Sequence, residues 1–129
     1  MRPRGFTLVE LLIVLAIVGT IVSLVAPLGV RQLERTRAQE EWLTLDRTLS
    51  GLAFDAFTQD TPITVEVSGQ RLSWTRFGDT QSNHVDFDQL SFDSQVISFN
   101  ANGLSDKSEL RLRQRERERI MRLNRGFER

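Results

Sequence analysis

The sequence predicts an α+β chain: a long N-terminal helix, transmembrane and then amphipathic, packed on a small antiparallel β-sheet head. Three observations predict it. The first thirty residues hold an almost uninterrupted apolar run. A stripe of apolar residues spaced three and four apart follows directly, which is helical spacing. Beyond residue 60 the period drops to two and Gly and Asn begin to punctuate the chain, which reads as strands and turns.

The chain starts with a short basic segment, Met1 to Gly5, carrying Arg2 and Arg4. From Leu8 to Leu28 the one charged residue is Glu10. Those roughly 21 residues make about 31 Å of helix at ~1.5 Å per residue. A bilayer core is about 30 Å thick, so the segment 6–29 is read as a membrane span. Arg2 and Arg4 on its N-terminal side place that end in the cytoplasm. Glu10 is the anomaly, because a carboxylate in a lipid-embedded helix costs about 2.5–3.5 kcal/mol at the centre and less near the interface.

Past Pro27 the pattern becomes amphipathic. Ala38, Trp42, Leu45, Leu49, Leu52 and Ala56 form one stripe, while Arg31, Arg35, Arg37, Glu40, Asp46 and Arg47 mostly lie off it. One helix is expected from about Thr7 to Phe57, with residues 30–60 as its amphipathic half. Pro27 is expected to loosen it, since proline removes a backbone donor and crowds the preceding turn. The stripe, Trp42 and Phe54 are expected in the core.

Asp60-Thr61-Pro62 ends the helix and opens the head, 61–129. Ile63, Val65 and Val67 alternate with polar residues, Ser68-Gly69-Gln70 turns, and Arg71 to Phe77 returns with Leu72 and Trp74 on one face. After a polar loop, Val85, Phe87, Leu90 and Phe92 suggest short extended pieces. Gln95 to Phe99 is a further strand, and Asn100 to Gly103 a turn, since Asn and Gly tolerate positive φ. Glu109 to Arg113 and Arg119 to Leu123 form a last hairpin joined by Arg115 to Glu118. Leu110, Leu112, Leu123 and either Ile120 or Met121 are expected to face inward.

Removing the leader and about 50 helical residues leaves roughly 70 for the head, a core that is marginal without the helix entering it. The chain has no Cys, which rules out a disulfide frame and a Cys-based zinc site. Net charge is zero but uneven: residues 60–106 hold two basic and seven acidic groups, and residues 107–129 hold nine and four. Such asymmetry suits oriented subunit contacts or a polyanion.

The residues Gly5-Phe6-Thr7-Leu8-Val9-Glu10-Leu11-Leu12 resemble the processing site of the type IV pilin and pseudopilin superfamily. The resemblance implies that a prepilin peptidase removes residues 1–5 by cutting between Gly5 and Phe6, and that Phe6 becomes N-methylated. It implies that Glu10 pairs with a neighbouring subunit's terminal amine during assembly, and that Pro27 is the proline that kinks the helix. Pairing makes physical sense, because an amine and a carboxylate in apolar surroundings each need a partner. A conventional signal peptide wants small residues at its cut site, and Leu24-Val25-Ala26 puts Leu where one belongs. A simple signal anchor leaves Glu10 unexplained.

A second resemblance lies in the head. Ile97 to Phe99, Asn102 to Ser105, Leu110 to Leu112 and Ile120 to Gly126 are similar to the C-terminal pattern of the GspH/FimT group of minor pseudopilins and minor pilins. It implies a structural subunit of a type II secretion pseudopilus, partnered by other pseudopilins or pilins through the N-terminal helix and by the inner-membrane assembly platform, with the head in the periplasm. The calcium-loop pattern of the major pseudopilin is not recognisable.

No catalytic constellation is visible, so no enzyme is expected. His84 stands alone in a polar loop. Asp79, Asp86, Asp88 and Asp93 are spread along the chain, whereas calcium needs six to eight convergent oxygens. No metal and no cofactor are expected. The arginine-rich tail is the remaining signal. Arg111, Arg113, Arg115, Arg117 and Arg119 alternate and are expected to share one strand face, with Arg122, Arg125 and Arg129 beyond. The leading reading is a solvated face laced with cross-strand ion pairs. A patch for sister subunits is the second, and nucleic acid, as in DNA-binding FimT-like minor pilins, the third. Their Gly-Arg-x-Arg ending is matched by Gly126-Phe127-Glu128-Arg129 only in its glycine and last arginine.

Overall fold

The computed structural model describes residues 5–123. One helix, α1 (Leu8–Thr58), precedes six strands: β1 (Ile63–Gly69), β2 (Arg71–Arg76), β3 (Asn83–Asp86), β4 (Leu90–Phe99), β5 (Glu109–Gln114) and β6 (Arg117–Arg122). They form one sheet in the order β3-β2-β1-β4-β5-β6, and every neighbouring pair is antiparallel. The α+β, pilin-like architecture expected from the sequence is the one observed.

The chain divides into two units, Met1–Thr36 and Arg37–Arg129. In the first, the large apolar side chains of α1 are exposed, from Leu8 at 79% to Leu33 at 51%. The helix is long and apolar enough there to cross a membrane. Apolar residues on every side of a helix suit a lipid surround, where a water-facing helix would show a polar face. Thr20 and Ser23 turn their hydroxyls inward, donating to the Ala16 and Thr20 carbonyls at 2.8 Å each, so neither side chain is left unsatisfied. Pro27 lies within α1.

In the second unit the helix lays Leu45, Leu49, Leu52, Ala53 and Ala56 against the sheet. The sheet answers with alternate residues: Ile63, Val65 and Val67 of β1, Leu72 of β2, Ile97 and Phe99 of β4, and Leu110 and Leu112 of β5. Phe87 and Phe92 meet edge to face with centroids 5.8 Å apart, the geometry ring quadrupoles favour. Five of the six expected stripe residues are buried, and Trp42 packs partly buried against the core. Phe54 departs from expectation: it is 53% exposed, because it lies one residue past the buried Leu52-Ala53 pair, off the face that meets the sheet.

The helix stops by backbone geometry. Asp60 takes φ 50°, its N–H donates to the Phe57 carbonyl, and the Thr61 N–H reaches back to Ala56 at 3.1 Å. That is a Schellman turn with Asp at the left-handed position, and Pro62 follows.

The β1–β2 hairpin matches the sequence reading, with Val67 opposite Leu72 and Val65 opposite Trp74. Further along, the expected short pieces at Leu90, Phe92 and Gln95–Phe99 are one ten-residue strand, β4. Asp93, Ser94 and Gln95 interrupt its apolar alternation, and the register against β1 shifts between Val67 and Gly69. A bulge of that kind hides a continuous strand from a period-two reading. The connection expected at Arg115 to Glu118 is shorter: only Arg115 and Glu116 separate β5 from β6. Met121 is the buried choice, at 2%, and Ile120 is exposed at 50%.

One contact holds the middle of the head together. The Glu41 carboxylate accepts the Asp88 N–H on Oε1 and the Gln89 N–H on Oε2, both at 2.6 Å. The loop it grips also receives the Gln70 side-chain amide on the Asp88 carbonyl and the Arg115 N–H on the Gln89 carbonyl. Removing a charged acceptor strands two donors, and a hydrogen bond to a charged group is worth about 1.5–3 kcal/mol. Glu41→Ala should therefore lower the unfolding free energy of the head by about 1.5–3 kcal/mol, read from Trp fluorescence in urea, and should speed amide exchange at Asp88 and Gln89. Unchanged exchange at those two amides would refute the clamp.

Candidate processing site and basic hairpin

Gly5, Phe6 and Thr7 precede the helix in non-helical backbone, and Phe6 is 84% exposed. Thr7 and Glu10 then cap the helix reciprocally. The Glu10 N–H donates to Thr7 Oγ1 at 3.2 Å, and the Thr7 N–H donates to Glu10 Oε2 at 3.4 Å. The Leu11 N–H closes the first turn on the Thr7 carbonyl at 3.1 Å. This is a capping box, which satisfies two of the donors every helix start leaves open. The resemblance implies an assembly role for Glu10, and the capping box is a second use of the same residue that it does not imply. The signal was present: Thr7-x-x-Glu10 ahead of an apolar run is the capping-box pattern. The bond between Gly5 and Phe6 lies just outside this capped start.

At the other end of the chain the β5–β6 hairpin corrects the reading of the arginines. A two-residue turn pairs odd-numbered residues of β5 with even-numbered residues of β6: Glu109 with Arg122, Arg111 with Ile120, and Arg113 with Glu118. On the opposite face Leu110 pairs with Met121, Leu112 with Arg119, and Gln114 with Arg117. Arg111 and Arg113 therefore lie on one face and Arg117 and Arg119 on the other, where a single shared face was expected. Cross-strand partners always share a face, and any turn with an even number of residues opposes odd positions to even ones, so the alternation of arginines does not carry through the turn.

Arg119 falls on the core side and is used there. Its guanidinium lies 4.1 Å from the centroid of the Trp42 ring and donates to Gln114 Oε1. Gln114 in turn donates from Nε2 to the Ala38 carbonyl at 2.8 Å. The stack and the amide relay fasten the hairpin to α1 through a cation–π contact. Among the described residues, the cross-strand pairs Arg113–Glu118 and Glu109–Arg122 do not close to within 4.0 Å. The turn itself is unusual in composition. Arg115 and Glu116 both take positive φ, 49° and 68°, where a two-residue hairpin ordinarily uses Asn and Gly. Arg125 and Arg129, with the Gly126–Arg129 segment, lie outside the described residues.

The scattered acidic residues fall into separate roles. Asp86 binds Arg71 through two bonds, 2.8 and 3.3 Å, and the hydrogen bond from that guanidinium holds the Asp86 carboxyl below its ordinary range. His84 stands 3.9 Å from the same carboxylate at the surface. Asp106 accepts the Ser98 N–H at 2.9 Å. Among the described residues no group of three or more His, Cys, Asp or Glu side chains converges as a metal site.

Residues 1–26 match the family model of the prokaryotic N-terminal methylation motif. The chain carries the type IV pilin and pseudopilin signature. No curated protein and no solved structure matches it. The signature spans Gly5, Phe6, Thr7 and Glu10, so the exposed Gly5–Phe6 pair and the capping box lie together inside the matched segment. It points to a structural subunit, with a methylated N-terminus and an apolar anchor helix. Pilin-type assembly with other subunits and processing by a prepilin peptidase are consistent with it.

Proposed function

We propose that the protein is a minor pseudopilin, a structural subunit of a type II secretion pseudopilus. In this reading residues 1–5 are a leader, 6–29 cross the inner membrane with the N-terminus in the cytoplasm, 30–60 continue the helix, and 61–129 form the periplasmic head. Prepilin peptidase cuts between Gly5 and Phe6 and Phe6 is methylated. Glu10 neutralises a terminal amine during assembly, and Pro27 loosens the helix where it leaves the bilayer. The inner-membrane assembly platform and sister pseudopilins, packed helix to helix, are the partners. The resemblance of the head to the GspH/FimT group supports a minor subunit.

The observation that carries the choice of a filament subunit over a DNA-binding minor pilin is the division of the arginines between two faces of the hairpin. Phosphates are held best by a continuous basic strip. Here Arg119 is committed to Trp42 and Gln114, and Glu109, Glu116 and Glu118 interleave the others. A fluorescence titration of the detergent-solubilised chain with duplex DNA at about 150 mM salt, where the Debye length is roughly 8 Å, should show no binding tighter than the usual non-specific range of about 10⁻⁴–10⁻⁶ M. Tighter binding that falls steeply with salt and is lost on replacing Arg122, Arg125 and Arg129 would move the protein to DNA uptake.

A further inference from the structure

The ladder between β4 and β5 closes at two places, Leu90 with Gln114 and Ser91 with Arg113. Beyond Ser91 the strands part, and a side chain stands between them. Gln95 donates from Nε2 to the Arg111 carbonyl at 2.8 Å and to the Asp93 carbonyl at 3.3 Å. Backbone acceptors inside a sheet need donors, and this amide supplies them where the direct pairing has stopped. A crevice of about 100 Å³ opens at that point, and Ser91, Asp93, Arg111, Arg113 and Glu118 line it.

The charges around the crevice are ordered. Ser91 pairs with Arg113 and Arg113 with Glu118, so β4, β5 and β6 present those three side chains on one face. Arg111 lies two residues from Arg113 along β5 and shares that face. Two guanidiniums thus occupy the middle strand, with a carboxylate to either side, Asp93 from β4 and Glu118 from β6. Among the described residues none of the four is in an ion pair. Their charges sum to zero, so the crevice does not concentrate a polyanion. A simple anion is held by the arginines and repelled by the acids, and a simple cation the reverse. A molecule that bears both signs within a short span is attracted by both. In an α-amino acid the carboxylate and the ammonium hang on one carbon, a span shorter than the ~4.8 Å between neighbouring strands. A carboxylate also takes two parallel N–H bonds from a guanidinium, which fixes its plane. We propose that this crevice binds a small zwitterion with the chemistry of a free α-amino acid, its carboxylate on Arg111 and Arg113 and its ammonium on the flanking carboxylates.

This holds whichever filament the chain joins. The full-length chain in detergent micelles, titrated with alanine at constant ionic strength, should show saturable shifts of the Ser91, Asp93, Arg111, Arg113 and Glu118 amide signals. Acetate and ethylammonium each carry one half of the zwitterion. Each should bind about fivefold more weakly than alanine, the loss of one exposed ion pair at the upper end of its usual strength. Arg111→Gln with Arg113→Gln should abolish the response to alanine and to acetate. Asp93→Asn with Glu118→Gln should bring acetate level with alanine or above it, leaving a site for simple anions. All four side chains are exposed, and unmoved signals from the core residues Leu110 and Met121 report that each variant keeps its fold. The comparison of the three ligands on the wild-type chain needs no variant. Acetate bound as tightly as alanine by the wild-type chain, no saturable shift with alanine, alanine binding that survives loss of both arginines, or a preference for alanine that survives loss of both acids would each overturn the proposal.

Discussion

Replacing Gly5 with valine should leave the full-length chain uncut in the membrane. The effect is expected at the peptidase and not in the protein itself. A Cβ built on Gly5 meets nothing within 4 Å, and the residue lies in non-helical backbone ahead of α1. Valine therefore disturbs neither the capping box nor the head. What it changes is the approach of another protein's catalytic groups to the Gly5 carbonyl. A β-branched side chain next to the scissile bond would hold that carbonyl back, and a displacement of about 1 Å ordinarily costs on the order of 100-fold in rate. Gly5→Ala should fall between the two. Intact-mass analysis of wild-type protein should show a chain beginning at N-methyl-Phe6. A mature chain that retains Met1, or one cut near Ala26, would sink the processing assignment. Gly5→Val cut at the wild-type rate would leave the site in place and remove glycine from its recognition.

The parts of this protein that follow from one residue and its period were legible in the sequence. The anchor run, the stripe from Ala38 to Ala56 and the β1–β2 hairpin all rest on local patterns with one buried face, and the structure keeps them. What escaped depends on distant partners or on a count of turn residues. Nothing in the local pattern singles out Glu41, yet it grips amides 47 and 48 residues further on. Arg119 read as part of a basic strip, because the strip was projected through a turn whose length no arginine spacing reveals. With two residues at that turn the parity of the returning strand flips, and Arg119 comes to stack on Trp42. Phe54 shows the limit of composition, since a helix that meets a sheet on one face leaves some aromatic residues in solvent. The capping box is different again. Its residues, Thr7 and Glu10, sit inside the methylation motif, so one short stretch carries two overlapping signals.

That overlap makes Glu10 the most informative position to change, since two roles make opposite forecasts for one substitution. Glu10→Ala removes both the side-chain acceptor for the Thr7 N–H and the negative charge. Glu10→Gln removes only the charge, because glutamine serves in a capping box as glutamate does. If the carboxylate neutralises a terminal amine in apolar surroundings, both variants leave that amine unpaired. An uncompensated buried charge costs about 3–5 kcal/mol, which is more than 100-fold in an assembly equilibrium. If the capping box is what matters, the loss in Glu10→Ala is that of a cap, about 0.5–2 kcal/mol, and Glu10→Gln behaves as wild type. We expect the first pattern: both variants cut between Gly5 and Phe6, and neither recovered with sister subunits after chemical cross-linking of intact cells, with the protein held in the membrane fraction. The cap then remains a local device that fixes where the helix begins. Wild-type incorporation of Glu10→Gln beside a defective Glu10→Ala would transfer the role of Glu10 from assembly to capping, and Thr7→Val should then reproduce the alanine defect.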